Sequence, residues 1–286
     1  MRAFTLCLLV AALHAADGYA FKPGTARSYD YTFEQRVAWE SANDRLEYRT
    51  RILWRFALRT VAVSDASATV NATYLRVTAT HQGPAAEHAV DSALAAGPVD
   101  PVLGHLAAFE GVTLGLTIDQ PTGRVTAVTG GEALIAAIDA KHPAAMPGDP
   151  PPLGAAARAL YAPEALAAWW SQLLALPSAE PQSVPLAAPL VGNLTRTWTG
   201  TDYRLSLPEG QGELQLRLLG EPTPVTGVLR EVVGTGSATL AEGMPGTASG
   251  SLAFTLGLTA MSQAVVQRHA LSWRLQPSTP PAAPRP

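Results

Sequence analysis

The sequence predicts a mainly β protein: a long-stranded, curved antiparallel sheet, an open or half barrel, with a central helical insert covering one face. Three observations predict it. Over Leu46–Thr60 one parity carries Leu46, Tyr48, Ile52, Trp54, Phe56 and Leu58, and the other carries Glu47, Arg49, Arg51, Arg55 and Arg59. That period of two is the pattern of a half-buried strand. The same alternation returns after Val191 and persists to Leu275, and between the two blocks the apolar spacing becomes helical.

Upstream of Leu46, Tyr29, Tyr31 and Phe33 share one face while Asp30, Thr32 and Glu34 share the other, and Ser41 to Asp44 supplies a turn. The two segments therefore read as a long hairpin. A third strand is expected over Ser67–Thr80. A shorter hairpin follows, with Val112, Leu114, Leu116 and Ile118 alternating up to the turn Asp119-Gln120-Pro121-Thr122-Gly123 and a return over Arg124–Thr129. Gln82–Glu110 is rich in Ala, Gly and Pro without periodicity and reads as a long excursion with one helical turn.

The insert spans about 131–190. Leu134, Ile135 and Ile138 recur at helical spacing, and Pro163 opens a second helix through Trp169, Trp170, Leu173 and Leu174 as a first-turn proline. Prolines at 143, 147, 150, 151, 152, 177, 181, 185 and 189 terminate these helices abruptly. Strands are then expected over Leu194–Leu205, Glu213–Leu219, Val225–Leu240, Ala248–Ala260 and Ala264–Leu275. Strands this much longer than the usual length of about 5–6 residues must coil as they twist, which favours one curved sheet over two domains. Its apolar face needs a cover, and the insert helices are available to supply it.

The ends fix the expected compartment. Arg2, an apolar run over Phe4–Leu13 and small residues at Ala15, Ala16, Gly18 and Ala20 make residues 1–20 a secretory signal peptide, with cleavage after Ala16 or after Ala20. The mature chain, residues 21–276 as one β-rich domain, is expected in the periplasm or outside the cell. The tail 277–286 holds five prolines and is expected to be disordered. Cys7, the only cysteine, lies inside the leader, so the processed chain is expected to have no disulfide, thiolate ligand or cysteine nucleophile. Charged residues are 15% of the 286 and the net charge is −3. That balance leaves no basic footprint for nucleic acid.

The run Val90-Asp91-Ser92, the stretch Pro101–Leu106, the strand Gly111–Asp119 and the return Gly123–Gly130 resemble a family of exported bacterial proteins of unknown function. The segment Leu186–Gly192 followed by Trp198 is similar to the same family's proline, valine-glycine and tryptophan pattern. The resemblance implies export and fold but carries no activity. At fold level the expected architecture also resembles periplasmic lipoprotein-carrier half barrels.

Catalytic patterns are missing from the sequence. No Gly-x-Ser-x-Gly elbow and no phosphate-binding glycine loop is present, so no cofactor is expected. His81, His88, His105, His142 and His269 match no zinc spacing and read as exposed loop residues. Asp91, Asp100, Asp119 and Asp202 read as turn residues. Two candidate surfaces stand out. Tyr29, Tyr31, Phe33, Trp54, Phe56, Trp169, Trp170 and Trp273 are expected on the covered apolar face, as core or as the lining of a ligand site. Arg49, Arg51, Arg55 and Arg59 project from one side of one strand, as a stripe for an anionic partner or as a solvated face paired with Glu34 and Glu47. The leading expectation is a non-enzymatic binding protein of the bacterial cell envelope, with a lipid-like or other hydrophobic ligand as partner. The alternative is an envelope structural or protein-interaction module, and the third reading is an extracytoplasmic hydrolase using His88, His105 or His269.

Overall fold

The computed structural model describes residues 18–42, 44–94, 100, 102–141, 158, 160–186, 190–218, 225–260 and 263–278. Residues 1–17 of the expected leader, His142 and the tail from 279 to 286 lie outside the described residues. No described helix is long and apolar enough to cross a membrane.

Three long strands come first: β1 (Ala26–Glu40), β2 (Arg45–Val63) and β3 (Ser67–Gln82). Three short ones follow: β4 (Glu87–Asp91), β5 (Thr113–Asp119) and β6 (Val125–Thr129). The helices α1 (Gly131–Lys141) and α2 (Pro163–Leu174) come next. The second half contains β7 (Gln182–Pro185), β8 (Leu190–Val191), β9 (Asn193–Thr199), β10 (Asp202–Ser206), β11 (Glu213–Leu218), β12 (Thr226–Ala241), β13 (Met244–Ala260) and β14 (Gln263–Ser278).

All of these strands join one antiparallel sheet, ordered β6-β5-β3-β2-β1-β14-β13-β12-β10-β9-β7. The last strand returns beside the first, so the two β-rich halves are continuous. Register sets the inner face: Tyr31 lies opposite Trp54 on β2 and Leu275 on β14, and Phe33 lies opposite Ile52 and Trp273. At β12 the sheet forks. The first part of that strand pairs with β11 and the later part with β10, and the register slips between Arg230 and Val233, where Glu231 has φ 57°. A bulge of this kind bends a strand and sharpens its twist.

Two apolar clusters occupy the inner face. The first joins Tyr29, Tyr31, Phe56, Leu58, Val70, Tyr74, Leu114, Leu116 and Ile118 to Leu134 and Ile138 of α1 and to Leu166, Trp170 and Leu173 of α2. The second fills the fork with Val184, Leu194, Tyr203, Leu205, Leu216, Leu229, Phe254 and Leu256. Trp273 packs against both.

Several sequence expectations are corrected. The stretch Leu194–Leu205 is two strands rather than one, because Gly200 at φ 62° turns the chain between β9 and β10. The excursion Gln82–Glu110 contains β4, which pairs with β3, and two 3-10 turns, Ser92–Leu94 and Gly104–Phe109. Short strands β7 and β8 occur within the proline-rich segment. β14 runs through Pro277 and Ser278, two residues into the expected tail. Proline is tolerated there because it needs to donate no ladder bond at a strand end.

Candidate functional site

The inner face is closed at one end and uncovered at the other. At the closed end Trp170 is fully buried and meets Phe56 edge-on at 5.1 Å, while Trp169 meets Tyr31 at 5.4 Å and Trp54 at 6.1 Å. Tyr29 stacks on Phe56 at 5.8 Å and its hydroxyl donates to the Pro245 carbonyl at 2.8 Å. Seven of the eight aromatics singled out in the sequence thus belong to the first cluster, and the eighth, Trp273, links it to the second. Tyr29, Tyr31, Phe56 and Trp170 are buried among protein atoms. Phe33, Trp54, Trp169 and Trp273 keep partial exposure.

Beyond Phe33 and Ile52 the hairpins β1-β2 and β13-β14 continue past the helices. Of their inner-face residues Val37, Trp39, Leu46, Tyr48, Leu252, Leu258, Val265 and Leu271 are half-buried, whereas Phe254 and Leu256 on β13 are buried. A short polar patch lies within this apolar run. Gln35 is hydrogen-bonded to His269 at 3.4 Å, Thr50 to His81 at 2.9 Å, and His269 in turn to Gln267 at 3.0 Å. The Phe254 ring stacks on His269 at 4.5 Å, and burial pushes the imidazole pKa down to about 4.

The histidines therefore correct the expectation that they are exposed loop residues. His81, His88 and His269 are on strands, His105 is in a 3-10 helix, and all four are half-buried. His88 is bonded to Asp100 at 3.0 Å. Among the described residues no group of three or more His, Cys, Asp or Glu is placed to hold a metal ion.

The arginine stripe lies on the outer face. Arg49 and Arg51 both approach Glu34, at 3.7 and 3.3 Å, and Arg55 makes two bonds to Asp30, at 2.8 and 3.1 Å. Arg59 is exposed and makes no ion pair among the described residues. An open cleft of about 650 Å³ lies over β3, β2, β1 and β14, lined by Arg36, Glu47, Arg49 and Arg268 with Val37 and Tyr48. Its lining mixes these charges with Val37, Tyr48 and His269 of the inner-face run.

At the far side of the sheet the inner face holds a residue that the sequence reading passed over. Arg196 alternates in phase with Leu194 and Trp198 on β9 and is 3% exposed. Its guanidinium carbon lies 4.7 Å from the Tyr203 ring centroid and 5.7 Å from that of Trp198. It makes no hydrogen bond or ion pair among the described residues, and its Nε is fully buried without a partner. Cation–π contacts contribute about 2 kcal/mol when desolvated, whereas taking an ion out of water costs on the order of several kcal/mol. The aromatic contacts therefore offset only part of the burial. Desolvation correspondingly lowers the guanidinium pKa, and the Tyr203 hydroxyl opposes part of that shift.

Two glycines join this site to the rest of the inner face. A Cβ at Gly236 would lie 2.3 Å from the Tyr203 hydroxyl, and one at Gly250 would lie 2.3 Å from the Trp273 indole. Their missing side chains leave the floor on which both rings lie, so aromatics run from Trp198 through Tyr203 to Trp273.

No protein-family model matches the chain, and no curated protein matches it in sequence. Among solved structures it is similar to lipovitellin, described for its lipid–protein interactions, at 10% identity and a TM-score of 0.40. It is also similar to DynF of the dynemicin biosynthesis pathway of Micromonospora chersina, at 8% identity and a TM-score of 0.22. These alignments cover 93% and 92% of this chain, and 27% and 89% of the respective partners. The chain thus spans about a quarter of the lipovitellin chain it matches. At these scores the likeness assigns no function.

Chemically, the inner face offers apolar contact, stacking surfaces and a few buried donors. The Trp54 indole nitrogen and Arg196 Nε both lack an acceptor. Of the carboxylates read as turn residues, Asp91 bonds Arg76, and Asp100 accepts from the amides of Val102 and Leu103. Asp119 accepts from the amide and hydroxyl of Thr122.

Proposed function

We propose that the chain is an exported, non-enzymatic binding protein of the bacterial cell envelope that takes a lipid-like or other hydrophobic ligand on the inner face of its sheet. One observation carries this reading. The longest strands extend past the helices, and apolar inner-face residues on them, among them Phe33, Ile52, Leu252 and Leu271, are only half covered, although Phe254 and Leu256 on the same face are buried. Strand residues that alternate toward an inner face are otherwise driven to complete burial, at about 25 cal/mol per Å² of apolar surface. An apolar surface left open inside a curved sheet, with few and localised polar groups, has the character of a small-molecule site.

The leader-like start of the sequence and its resemblance to an exported bacterial family support the compartment. Of the candidate histidines His88 meets a carboxylate, Asp100, whose other oxygen is taken up by the amides of Val102 and Leu103. Trp54 and Trp273 are the residues expected to touch the ligand.

Native mass spectrometry of the protein purified from the periplasm or medium is expected to show a co-purified hydrophobic molecule. The stripped protein is expected to take up N-phenyl-1-naphthylamine with enhanced fluorescence, and Trp273→Ala is expected to weaken that uptake. Protein that is both empty as isolated and unresponsive to the probe would overturn the reading.

A further inference from the structure

We infer that Arg196 is the head-group site of this ligand: its guanidinium receives the carboxylate of a single-chain anionic amphiphile, whose alkyl chain lies along the inner face past Leu252 and Leu271. The inference rests on the reading that the inner face holds a hydrophobic ligand, and it adds the chemical class.

Three observations converge on it. The first is charge without a partner. Arg196 is 3% exposed, its Nε is fully buried with no acceptor, and no carboxylate among the described residues pairs with it. Buried cations in proteins are held by anions, and a missing anion on an otherwise well-packed face points to one that arrives from outside. The half-buried arginines of the sheet have their acids, Asp30 for Arg55 and Glu242 for Arg27.

The second observation is shape. The guanidinium is walled by Tyr203 and Trp198, whose rings meet edge-on at 4.8 Å, and Trp198 is fixed by an indole bond to Gln182 at 3.0 Å. The ring faces orient the fork without using its donors. A planar fork of N–H groups matches a carboxylate in a way that an ammonium or a lone hydroxyl does not.

The third is continuity. One transverse row of the sheet runs from Arg196 through Leu205, Gly234, Leu252 and Leu271 to Gln35. From β9 to β14 that row crosses four strand spacings of about 4.8 Å each. Leu205 and Leu252 close over Gly234, each within 3.0 Å of the position a Cβ would take there, so the row is continuous apolar surface. An anionic head at Arg196 therefore places its chain against the half-buried residues that carry the functional reading. The lowered pKa that burial imposes on Arg196 is relieved by the same anion.

The test uses the purified full processed chain, stripped of bound material, with three probes of matched chain length: palmitate, hexadecanol and hexadecyltrimethylammonium. Wild type is expected to bind palmitate at least about tenfold more tightly than hexadecanol, and the cation more weakly than either. Arg196→Met is expected to bring palmitate down to the hexadecanol level while leaving hexadecanol unchanged. Equal binding of palmitate and hexadecanol by wild type overturns the head-group inference and leaves the hydrophobic-ligand reading standing. Binding of none of the three overturns both. If Arg196→Met does not fold, as judged by its circular dichroism, the wild-type comparison alone decides.

Discussion

Ser171 and Gln172 are neighbours on α2, yet their side chains bond opposite ends of the sheet. Ser171 Oγ accepts from the amide of Val125 on β6 at 2.9 Å, and Gln172 Nε2 donates to the carbonyl of Pro185 on β7 at 2.7 Å. β6 and β7 are the two ends of the main strand order. The sheet is therefore curled far enough for one helix to span its gap, and the helix blunts both edges against pairing with other strands.

The two bonds are expected to differ in weight. Val125 is buried, so Ser171→Ala leaves a buried amide without an acceptor and is expected to cost about 1–3 kcal/mol. Gln172→Ala removes a bond from a more open site and is expected to cost about 1 kcal/mol or less. Urea midpoints measure both, and hydrogen exchange at the Val125 amide is expected to accelerate only in the Ser171 variant. Equal small effects would mean that α2 is held by its apolar contacts alone.

The floor of the inner face gives a sharper contrast. Gly250→Ala forces a methyl to 2.3 Å from the Trp273 indole and 2.8 Å from the Tyr203 hydroxyl. It is expected to destabilise by about 2–3 kcal/mol and to change the near-ultraviolet dichroism of the tryptophans. Gly257→Ala on the same strand meets nothing closer than 3.6 Å. There the lost backbone freedom of the unfolded chain dominates, and the variant is expected to be neutral or more stable by up to about 1 kcal/mol.

Most of this architecture was legible in the sequence because the hairpin of β1 and β2 alternates without a break. Tyr31 and Trp54 could be assigned to one face from parity alone, and they are register partners. Long strands and an apolar helix carrying Trp169 and Trp170 were enough to place the cover. What failed did so for local reasons. Gly200 preserves the parity of the residues on either side, so β9 and β10 read as one strand. β4, β7 and β8 are too short for periodicity to speak, and they exist through the neighbours they pair with. Arg196 was visible in principle as one charge in phase with Leu194 and Trp198. Its significance depends on Tyr203 folding back over it, which no spacing reveals.

His269 makes stability depend on pH. Burial lowers its pKa from 6.5 to about 4, so between those values the unfolded chain binds the proton that the folded chain refuses. Stability then rises with pH: the contribution is fully present above about 6.5 and is lost as pH falls toward 4. Melting temperatures at pH 7.5, 6 and 5 are expected to fall more steeply for wild type than for His269→Gln, which keeps a polar partner for Gln35 but cannot titrate. Parallel profiles would show that the imidazole is solvated in the folded protein.

If residues 1–20 are a cleaved leader as expected, the contacts of Tyr19 and Ala20 favour one of its two candidate cleavage positions. Tyr19 is buried, its amide donates to the Gln120 carbonyl at 2.8 Å, and its hydroxyl donates to the Leu174 carbonyl at 2.9 Å. The Ala20 amide donates to the Gly243 carbonyl at 2.9 Å, and Phe21 is buried beside Tyr19, with ring centroids 5.0 Å apart. Cleavage after Ala20 would discard a buried tyrosine that ties the end of α2 to the turn between β5 and β6. Cleavage after Ala16 keeps every one of these contacts. If the chain is exported as proposed, the intact mass of the mature protein is expected to begin at Asp17, and a start at Phe21 would refute this. A chain engineered to begin at Phe21 is expected to be less stable by about 3–5 kcal/mol, the range for losing a large buried aromatic, as read from its urea midpoint.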